Sequence, residues 1–185
     1  MDAAIRTRLG YRWLRPFFFH SLARDFLEAA EGFKMSGDFS PVHYFLYCRS
    51  IELSLKAFLL AKKVPMTRLK KWVGHDLERA LKEAELHGLL DIVEIRPGYR
   101  EELQKANYYY KNKQGFEYAD DFRVLMRFGS VKPSLSVLSE FDSMLVEKLD
   151  RVCNECVLIL AKKFREGKSY IKGCMIMVLG AGKCI

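Results

Sequence analysis

The segment from Ser40 to Leu60, SPVHYFLYCRSIELSLKAFLL, constrains the fold more than any other part of the chain. Ser40 offers a side-chain acceptor for a helix N-cap, and Pro41 has the backbone angle of a first helical turn. Val64-Pro65 predicts the end of this helix, after about Lys63. The residues in between are mostly apolar, which predicts a largely buried helix.

Apolar spacing and helix-breaking residues predict four more helices. They run from Leu14 to Met35 with an end at Gly37, from Leu77 to Gly88, from Tyr99 to about Tyr110, and from Lys132-Pro133-Ser134 to Gly167. Met66 to Val73 is expected to be a short basic connection. The order of the elements predicts an all-α, up-and-down antiparallel bundle of about five helices.

The helical period is interrupted between Gly115 and Phe128. Two short runs rich in apolar residues, Gly115 to Tyr118 and Phe122 to Phe128, are separated by Ala119-Asp120-Asp121. This pattern fits a small β-hairpin inserted before the last long helix, and it also fits an irregular lid. Both interpretations stay open.

The length and composition of the chain predict one domain. It has 185 residues, of which 50% are hydrophobic, enough for a core that folds without disulfides or metals. Residues 1–169 are assigned to this domain and residues 170–185 to an apolar tail. The tail fits a short edge strand, a hydrophobic docking peptide, a lipid-modified end or residues foreign to the native gene. Prenylation is disfavoured because Cys184 is the penultimate residue rather than the fourth from the end.

The charge balance and the cysteine content set broad limits on function. A net charge of +8, with basic residues scattered along the chain, suits either solubility or an anionic partner such as RNA. The odd number of cysteines, five, predicts a reduced cytoplasmic protein. Cys153 and Cys156 are predicted to be buried helix thiols, because no second pair completes a metal site. No metal or other cofactor is predicted, and no apolar run reaches the ~18 residues of a membrane span.

Three charges on the second helix form the first candidate site. Arg49, Glu52 and Lys56 are spaced i, i+3 and i+7, which places them on one face between apolar residues. The stripe is either a solvated helix surface or a polar groove inside the bundle. In the second interpretation the antiparallel third helix brings His75 and Asp76 alongside, and these two residues complete the candidate groove.

The segment Ile51 to Ala57, followed at the right distance by Gly74-His75-Asp76-Leu77, resembles the HEPN family of small helical bundles. Members of this family often carry Arg, Glu and Lys on the second helix and open the third with His-Asp-Leu. The resemblance covers about Phe18 to Phe164. The family includes ribonucleases, antitoxin partners and modules with no known chemistry. The resemblance also implies a nucleotidyltransferase as one class of partner.

Catalytic HEPN members use an Arg followed by a His after four to six residues, late in the bundle, and cleave RNA without metal across a dimer. Arg15 with His20 and Arg68 with His75 have this spacing, but both pairs lie too early. No His follows His87, so a general base is missing where the motif is expected. The resemblance therefore implies a non-enzymatic module that dimerises and binds a protein or nucleotide-containing partner. The alternative is a HEPN-type, metal-independent ribonuclease with an atypical active site.

The run from Tyr108 to Lys113 is the candidate contact for nucleic acid. In this interpretation Tyr109 and Tyr110 stack on bases while Lys111 and Lys113 meet phosphates. In the opposite interpretation the run is a helix end whose tyrosines bury their rings against the core.

The length of the last helix is the reason to expect a homodimer. At 1.5 Å per residue the helix spans roughly 45 Å, more than a compact domain of this size needs. An overhanging helix packs on something, and a second copy of the chain is the commonest candidate. The apolar tail at residues 170–185 points the same way.

Overall fold

A computed structural model describes residues 3–35, 40–111 and 133–165 of the chain. Six α-helices account for most of these residues, and no strand occurs among them. The helices are α1 (Ala3–Glu31), α2 (Pro41–Ala61), α3 (Met66–Arg68), α4 (Leu77–Leu86), α5 (Pro97–Tyr110) and α6 (Leu135–Arg165). The prediction of an all-α bundle is confirmed, with the short α3 as an additional helix.

Helix α2 is the central element, because it packs against α1, α4, α5 and α6. It runs antiparallel to α1. The rings of Phe33 and His43 meet near the start of α2, with centroids 5.3 Å apart. Further along, the Ser50 hydroxyl lies 2.8 Å from the carbonyl oxygen of Ala23.

Helices α1 and α6 are also antiparallel. Glu31, at the end of α1, meets Ser143, while His20 meets Asp150 further along α6. The direction of the chain therefore reverses between α1 and each of its two long neighbours, as an up-and-down bundle requires.

The centre of α2 is buried on every side, which fits its apolar sequence. All residues from Ile51 to Leu59 are buried. Ser40 occupies the N-cap position, but its side chain makes no cap hydrogen bond. Its carbonyl oxygen instead accepts from the backbone N–H of His43, 3.1 Å away. The predicted helix start is correct, whereas the predicted side-chain cap is wrong.

The predicted bounds of the first helix were wrong at both ends. Helix α1 begins at Ala3 and includes Pro16 within the helix, and it ends at Glu31 rather than at Met35. Apolar spacing continues past the end of the helix because Phe33 packs on the His43 ring from non-helical backbone. Residue 37, where the end was expected, lies outside the described residues.

The predicted basic connection from Met66 to Val73 is helical instead. It consists of α3 followed by a π-helical turn at Leu69–Val73, closed by a hydrogen bond of 2.9 Å from Gly74 N to Leu69 O. Leu69 and Val73 are both buried, and their burial holds this turn against the bundle. Lys70 and Lys71 lie between these two residues, and their charge favoured the prediction of a basic connection over that of a buried apolar pair.

The predicted start and end of the third helix are confirmed in α4. Asp76 is its N-cap, and a side-chain oxygen of Asp76 accepts from the backbone N–H of Arg79 at 3.1 Å. Gly88 follows the helix with a φ of +85°, the left-handed conformation that ends many helices. A 3₁₀ turn at Leu89–Asp91 then leads toward α5.

One row of apolar residues on α6 faces the core over most of the described length of the helix. Leu138, Phe141, Leu145 and Leu149 are fully buried. The thiols of Cys153 and Cys156 are buried and unbridged, and burial raises the pKa of both. These two cysteines are helix thiols, as the sequence predicted.

Two predicted features fall outside the described residues: the hairpin or lid between Gly115 and Phe128, and the tail at residues 170–185. Within the described part of the chain, no helix is long and apolar enough to cross a membrane. The same residues contain no group of His, Cys, Asp and Glu side chains that could hold a metal ion.

Candidate functional site

The carboxylate of Glu52 is the centre of the candidate site. Its side chain is 1% exposed, and it receives hydrogen bonds from four side chains. Arg49 Nη1 lies 3.0 Å and His75 Nδ1 lies 3.1 Å from Glu52 Oε2. Lys56 Nζ bonds Oε1, and the Tyr110 hydroxyl bonds Oε2. These five residues are called the Glu52 cluster below.

Three separate parts of the chain build the Glu52 cluster: α2, the corner at Gly74 and His75, and the last turn of α5. Arg49 and Lys56 lie one turn before and one turn after Glu52 on α2, where side chains of one face meet. Lys56 Nζ also donates to the carbonyl oxygen of Gly74, which fixes the corner before α4 against α2. Gly74 has a φ of +56°, a conformation that favours glycine, and its turn carries His75 back to Glu52.

The Glu52 cluster keeps its carboxylate ionised. Burial raises the pKa of Glu52, but the Lys56 ammonium, the Tyr110 hydroxyl and the Arg49 guanidinium outweigh burial and leave the pKa below its ordinary value. Burial and the neighbouring carboxylate raise the pKa of Tyr110, so the phenol keeps its proton. An ionised carboxylate only accepts hydrogen bonds, so His75 carries a proton on Nδ1.

Two members of the cluster reach solvent. The Arg49 side chain is 30% exposed and the His75 side chain is 52% exposed, whereas Lys56 and Tyr110 are buried. The Arg49 and Lys56 charges together with the Glu52 charge sum to +1. The cluster therefore presents a surplus of positive charge through a guanidinium and an imidazole at its rim.

Asp76 does not join the Glu52 cluster, although the sequence grouped it there. As the N-cap of α4 its carboxylate turns toward the Arg79 backbone N–H. It also accepts from Asn107 Nδ2 at 3.0 Å and lies 3.8 Å from Lys111 Nζ. The remaining predicted members, Arg49, Glu52, Lys56 and His75, are brought together.

Asn107 links α5 to α4 and was not singled out from the sequence. Its side chain is fully buried and accepts from the Leu77 backbone N–H at 2.8 Å. Its amide nitrogen donates to Asp76 and, at 2.7 Å, to Glu78. The one available signal was a polar residue inside an otherwise apolar and aromatic helix end.

The predicted stacking role of Tyr109 and Tyr110 is wrong. Both side chains are buried, so a base cannot lie on their rings, and the interpretation as a helix end with buried tyrosines is the correct one. Tyr110 instead supplies a hydroxyl to Glu52. Lys111 is exposed beside Asp76, and Lys113 lies outside the described residues.

Neither Arg and His pair of ribonuclease spacing forms a site. His20 is buried, with Nε2 3.3 Å from Asp150 Oδ1. Arg68 Nε and Nη2 donate to the two carboxylate oxygens of Glu83 at 2.7 and 3.1 Å. His75 binds Glu52 instead, so Arg68 and His75 serve different carboxylates.

Comparison of the chain with protein-family models, with curated proteins and with solved structures finds no match. The resemblance to HEPN proteins remains a prediction from the sequence.

Proposed function

We propose that the chain is a non-enzymatic HEPN-like module that forms a homodimer and binds a nucleotide-containing partner at the rim of the Glu52 cluster. One observation carries the proposal. A buried carboxylate with four donors holds a guanidinium and an imidazole at the surface with positive charge left over.

Phosphate is the chemical group that this rim fits. A guanidinium presents several N–H donors in a plane and binds phosphate through paired hydrogen bonds. Arg49 uses Nη1 on Glu52, which fixes the side chain before a ligand arrives. A side chain that is already fixed loses less conformational entropy on binding.

The partner can be a free nucleotide or a protein that carries one. A nucleotidyltransferase, the partner class implied by the resemblance, belongs to the second group. In both cases the phosphate is the group in contact with Arg49 and His75, and free ATP and GTP are the probes for this contact.

Exposed apolar residues on α1 and α6 support the homodimer. Phe18 and Leu22 lie on α1, and Leu158 and Ile159 lie on α6, and all four are exposed. α1 and α6 pack on each other. Helix α6 has 31 residues, a length of about 46 Å at 1.5 Å per residue. A second copy of the chain would cover these residues.

One observation favours a metal-independent ribonuclease as the second candidate. Arg49 and His75 meet at the same oxygen of Glu52, so one site holds a cation for phosphate and a residue type that moves protons near neutral pH. RNA cleavage without metal uses both a base and an acid. The cluster of one chain offers a single histidine, which is why the binding function is preferred.

Nucleotide titration by calorimetry tests the proposal. ATP and GTP are added to the parent protein and to Arg49→Ala, His75→Ala and Arg151→Ala variants. Arg151 is an exposed arginine of α6 and is the matched charge control. We expect the parent to bind, Arg49→Ala to weaken binding about tenfold through loss of a charge-assisted contact, and Arg151→Ala to bind as the parent does.

The result that overturns the binding function is equal affinity in the parent and in both cluster variants, or no binding by the parent. A structured RNA is incubated with the same preparations. Cleavage by the parent that disappears in both His75→Ala and Arg49→Ala would replace the binding function by the ribonuclease.

A further inference from the structure

Trp72 is an exposed aromatic residue on the π-helical turn beside the Glu52 cluster. It is 56% exposed, while Leu69 and Val73 on the same turn are buried. Burial of these two residues fixes the turn and leaves the indole on the outer side. π-helical turns are rare and often lie at functional sites.

Arg79 of α4 lies over the Trp72 ring. Its guanidinium carbon is 5.3 Å from the ring centroid, and Nη1 is 3.4 Å from the carbonyl oxygen of Trp72. Arg79 Nε also lies 3.5 Å from Asp76 Oδ2. The arginine is therefore held from two sides, although more than half of its side chain is exposed.

A second cation shares the Asp76 carboxylate. Lys111 Nζ lies 3.8 Å from the same oxygen, Asp76 Oδ2. Trp72, Arg79, Asp76 and Lys111 thus form one continuous row of contacts, called the Trp72 surface below. Two cations and one carboxylate give this row a surplus of positive charge, and exposed Lys70 and Lys71 precede the indole in the chain.

The Trp72 surface borders the Glu52 cluster because Asp76 directly follows His75 in the chain. An exposed ring with one fixed cation over its face and a second cation nearby is a combination that single-stranded nucleic acids bind. Bases stack on the aromatic face, and phosphates meet the basic side chains. An acidic protein surface would match the charge, and a nucleic acid in addition supplies flat bases that stack on the indole.

We infer that the Trp72 surface binds single-stranded nucleic acid, with a base stacked on Trp72 and backbone phosphates at Arg79 and Lys111. This inference rests on the proposed function, since the strand continues toward the phosphate contact at Arg49 and His75. It adds a stacking site and extends the ligand from one nucleotide to several.

Fluorescence anisotropy with a labelled 12-mer of uridine and a labelled 12-mer of thymidine tests the inference. The uridine and thymidine arms separate RNA from DNA as the source of the strand. The variants are Trp72→Leu, Trp72→Phe, Arg79→Ala and Lys111→Ala. Arg151→Ala is again the charge control, and Leu86→Ala removes an exposed apolar side chain on the opposite end of α4.

Trp72→Leu is expected to weaken binding about tenfold, within the range for loss of one base–aromatic stack, and Trp72→Phe is expected to keep most of the affinity. Arg79→Ala and Lys111→Ala should each lower the slope of log affinity against log salt by about 0.7, the value for one phosphate contact on a single strand. Arg151→Ala and Leu86→Ala should bind as the parent does.

Two results overturn the inference: no binding of either 12-mer up to about 100 µM, the weak end of nonspecific affinity, or equal binding by the parent and Trp72→Leu. The Arg49→Ala and His75→Ala variants keep the two proposals apart. If these variants lose ATP or GTP while Trp72→Leu binds the 12-mers unchanged, the proposed function stands and the Trp72 surface fails. If Trp72→Leu loses binding of the 12-mers while Arg49→Ala and His75→Ala bind ATP and GTP as the parent does, the phosphate site at the rim of the Glu52 cluster is wrong instead.

Discussion

The hydroxyl of Tyr110 donates a hydrogen bond to the carboxylate of Glu52, a residue 58 positions earlier in the chain. Both side chains are buried. The bond fastens the last turn of α5 to the middle of α2 at the point where three other donors converge. The stability of the bundle and the geometry of its candidate site therefore depend on the same carboxylate.

Glu52→Gln should destabilise the protein by about 3–5 kcal/mol, the cost of removing one partner from a buried ion pair. Lys56 is buried and would lose its carboxylate counterion. Urea unfolding measures the free energy. The control is Glu155→Gln, which removes an exposed pair with Arg151 and should cost less than about 1 kcal/mol. Equal losses in the two variants would contradict the central role of Glu52.

The stability of the protein should depend on Glu52 at acid pH. The pKa of Glu52 is lowered in the folded protein, despite burial, by Lys56, Tyr110 and Arg49. The ionised carboxylate thus contributes stability that is complete above the unfolded pKa, about 4.3, and is lost as pH falls through the folded pKa.

Urea midpoints measured from pH 7 down to pH 3 check this dependence. The parent should lose stability below about pH 4.3 more steeply than Glu52→Gln, because the variant has no carboxylate at this position. Parallel curves for the two proteins would show that Glu52 does not titrate differently in the folded and unfolded states.

Asp142→Asn should stabilise the protein at neutral pH. Asp142 is buried, and burial raises the pKa of its carboxyl well above the ordinary value, against the lowering effect of the Ser50 hydrogen bond. Asp142 Oδ1 lies 2.8 Å from the Ser50 hydroxyl, and no described group bonds the other oxygen. Ser50 has one proton and also lies 2.8 Å from the Ala23 carbonyl oxygen. A protonated Asp142 that donates to Ser50 satisfies both contacts.

The sign of the pH effect follows from the raised pKa of Asp142. Folded protein holds a proton that the unfolded chain releases above about pH 3.9, so stability falls as pH rises from there to the folded pKa. Asparagine keeps a donor and never ionises. The gain from Asp142→Asn should be present at pH 7 and disappear below about pH 3.9; a gain that is the same at both pH values would contradict the assignment.

Gly88 and Gly98 should respond in opposite ways to alanine. Gly88 has a φ of +85°, and a Cβ there would lie 2.9 Å from Asp91 Oδ2. Gly98 lies on α5, and a Cβ there would meet nothing within 4 Å. Gly88→Ala should cost about 1 kcal/mol and Gly98→Ala should be neutral or stabilising by up to about 1 kcal/mol. Thermal unfolding compares the two variants, and a stabilising Gly88→Ala would contradict the helix-end geometry.

Light scattering should give a mass of about 43 kDa, twice the 21.5 kDa of the chain. Phe18→Glu and Leu158→Glu, on the exposed apolar residues of α1 and α6, should shift the protein toward the monomer. Leu86→Glu is the control: it adds the same negative charge at an exposed position of α4 and should leave the dimer intact. A monomeric parent, or an unaffected dimer in both interface variants, would overturn the assignment of the interface.

Local spacing was sufficient to predict three of the five residues of the Glu52 cluster. Arg49, Glu52 and Lys56 lie within two turns of one helix, and the geometry of a helix alone brings them together. The corner at Gly74 and His75 was also readable, because glycine and an N-cap aspartate mark a helix start.

Tyr110 could not be assigned from spacing. Its contact with Glu52 depends on how α5 docks on α2, and a run of tyrosines followed by lysines has the same composition on a surface as at a helix end. The π-helical turn was missed for a related reason. Its closing bond, Gly74 N to Leu69 O, depends on the burial of Leu69 and Val73 against other helices.

Four donors depend on Glu52, and this constrains the order in which substitutions can occur in the Glu52 cluster. A lineage that replaces Glu52 first passes through a protein with a buried lysine that has lost its counterion. If Lys56 is first replaced by an apolar residue, Glu52 still has Arg49, His75 and Tyr110 as partners. Divergence at this site should therefore proceed through position 56 before position 52, and chains that have lost the glutamate should already lack the lysine.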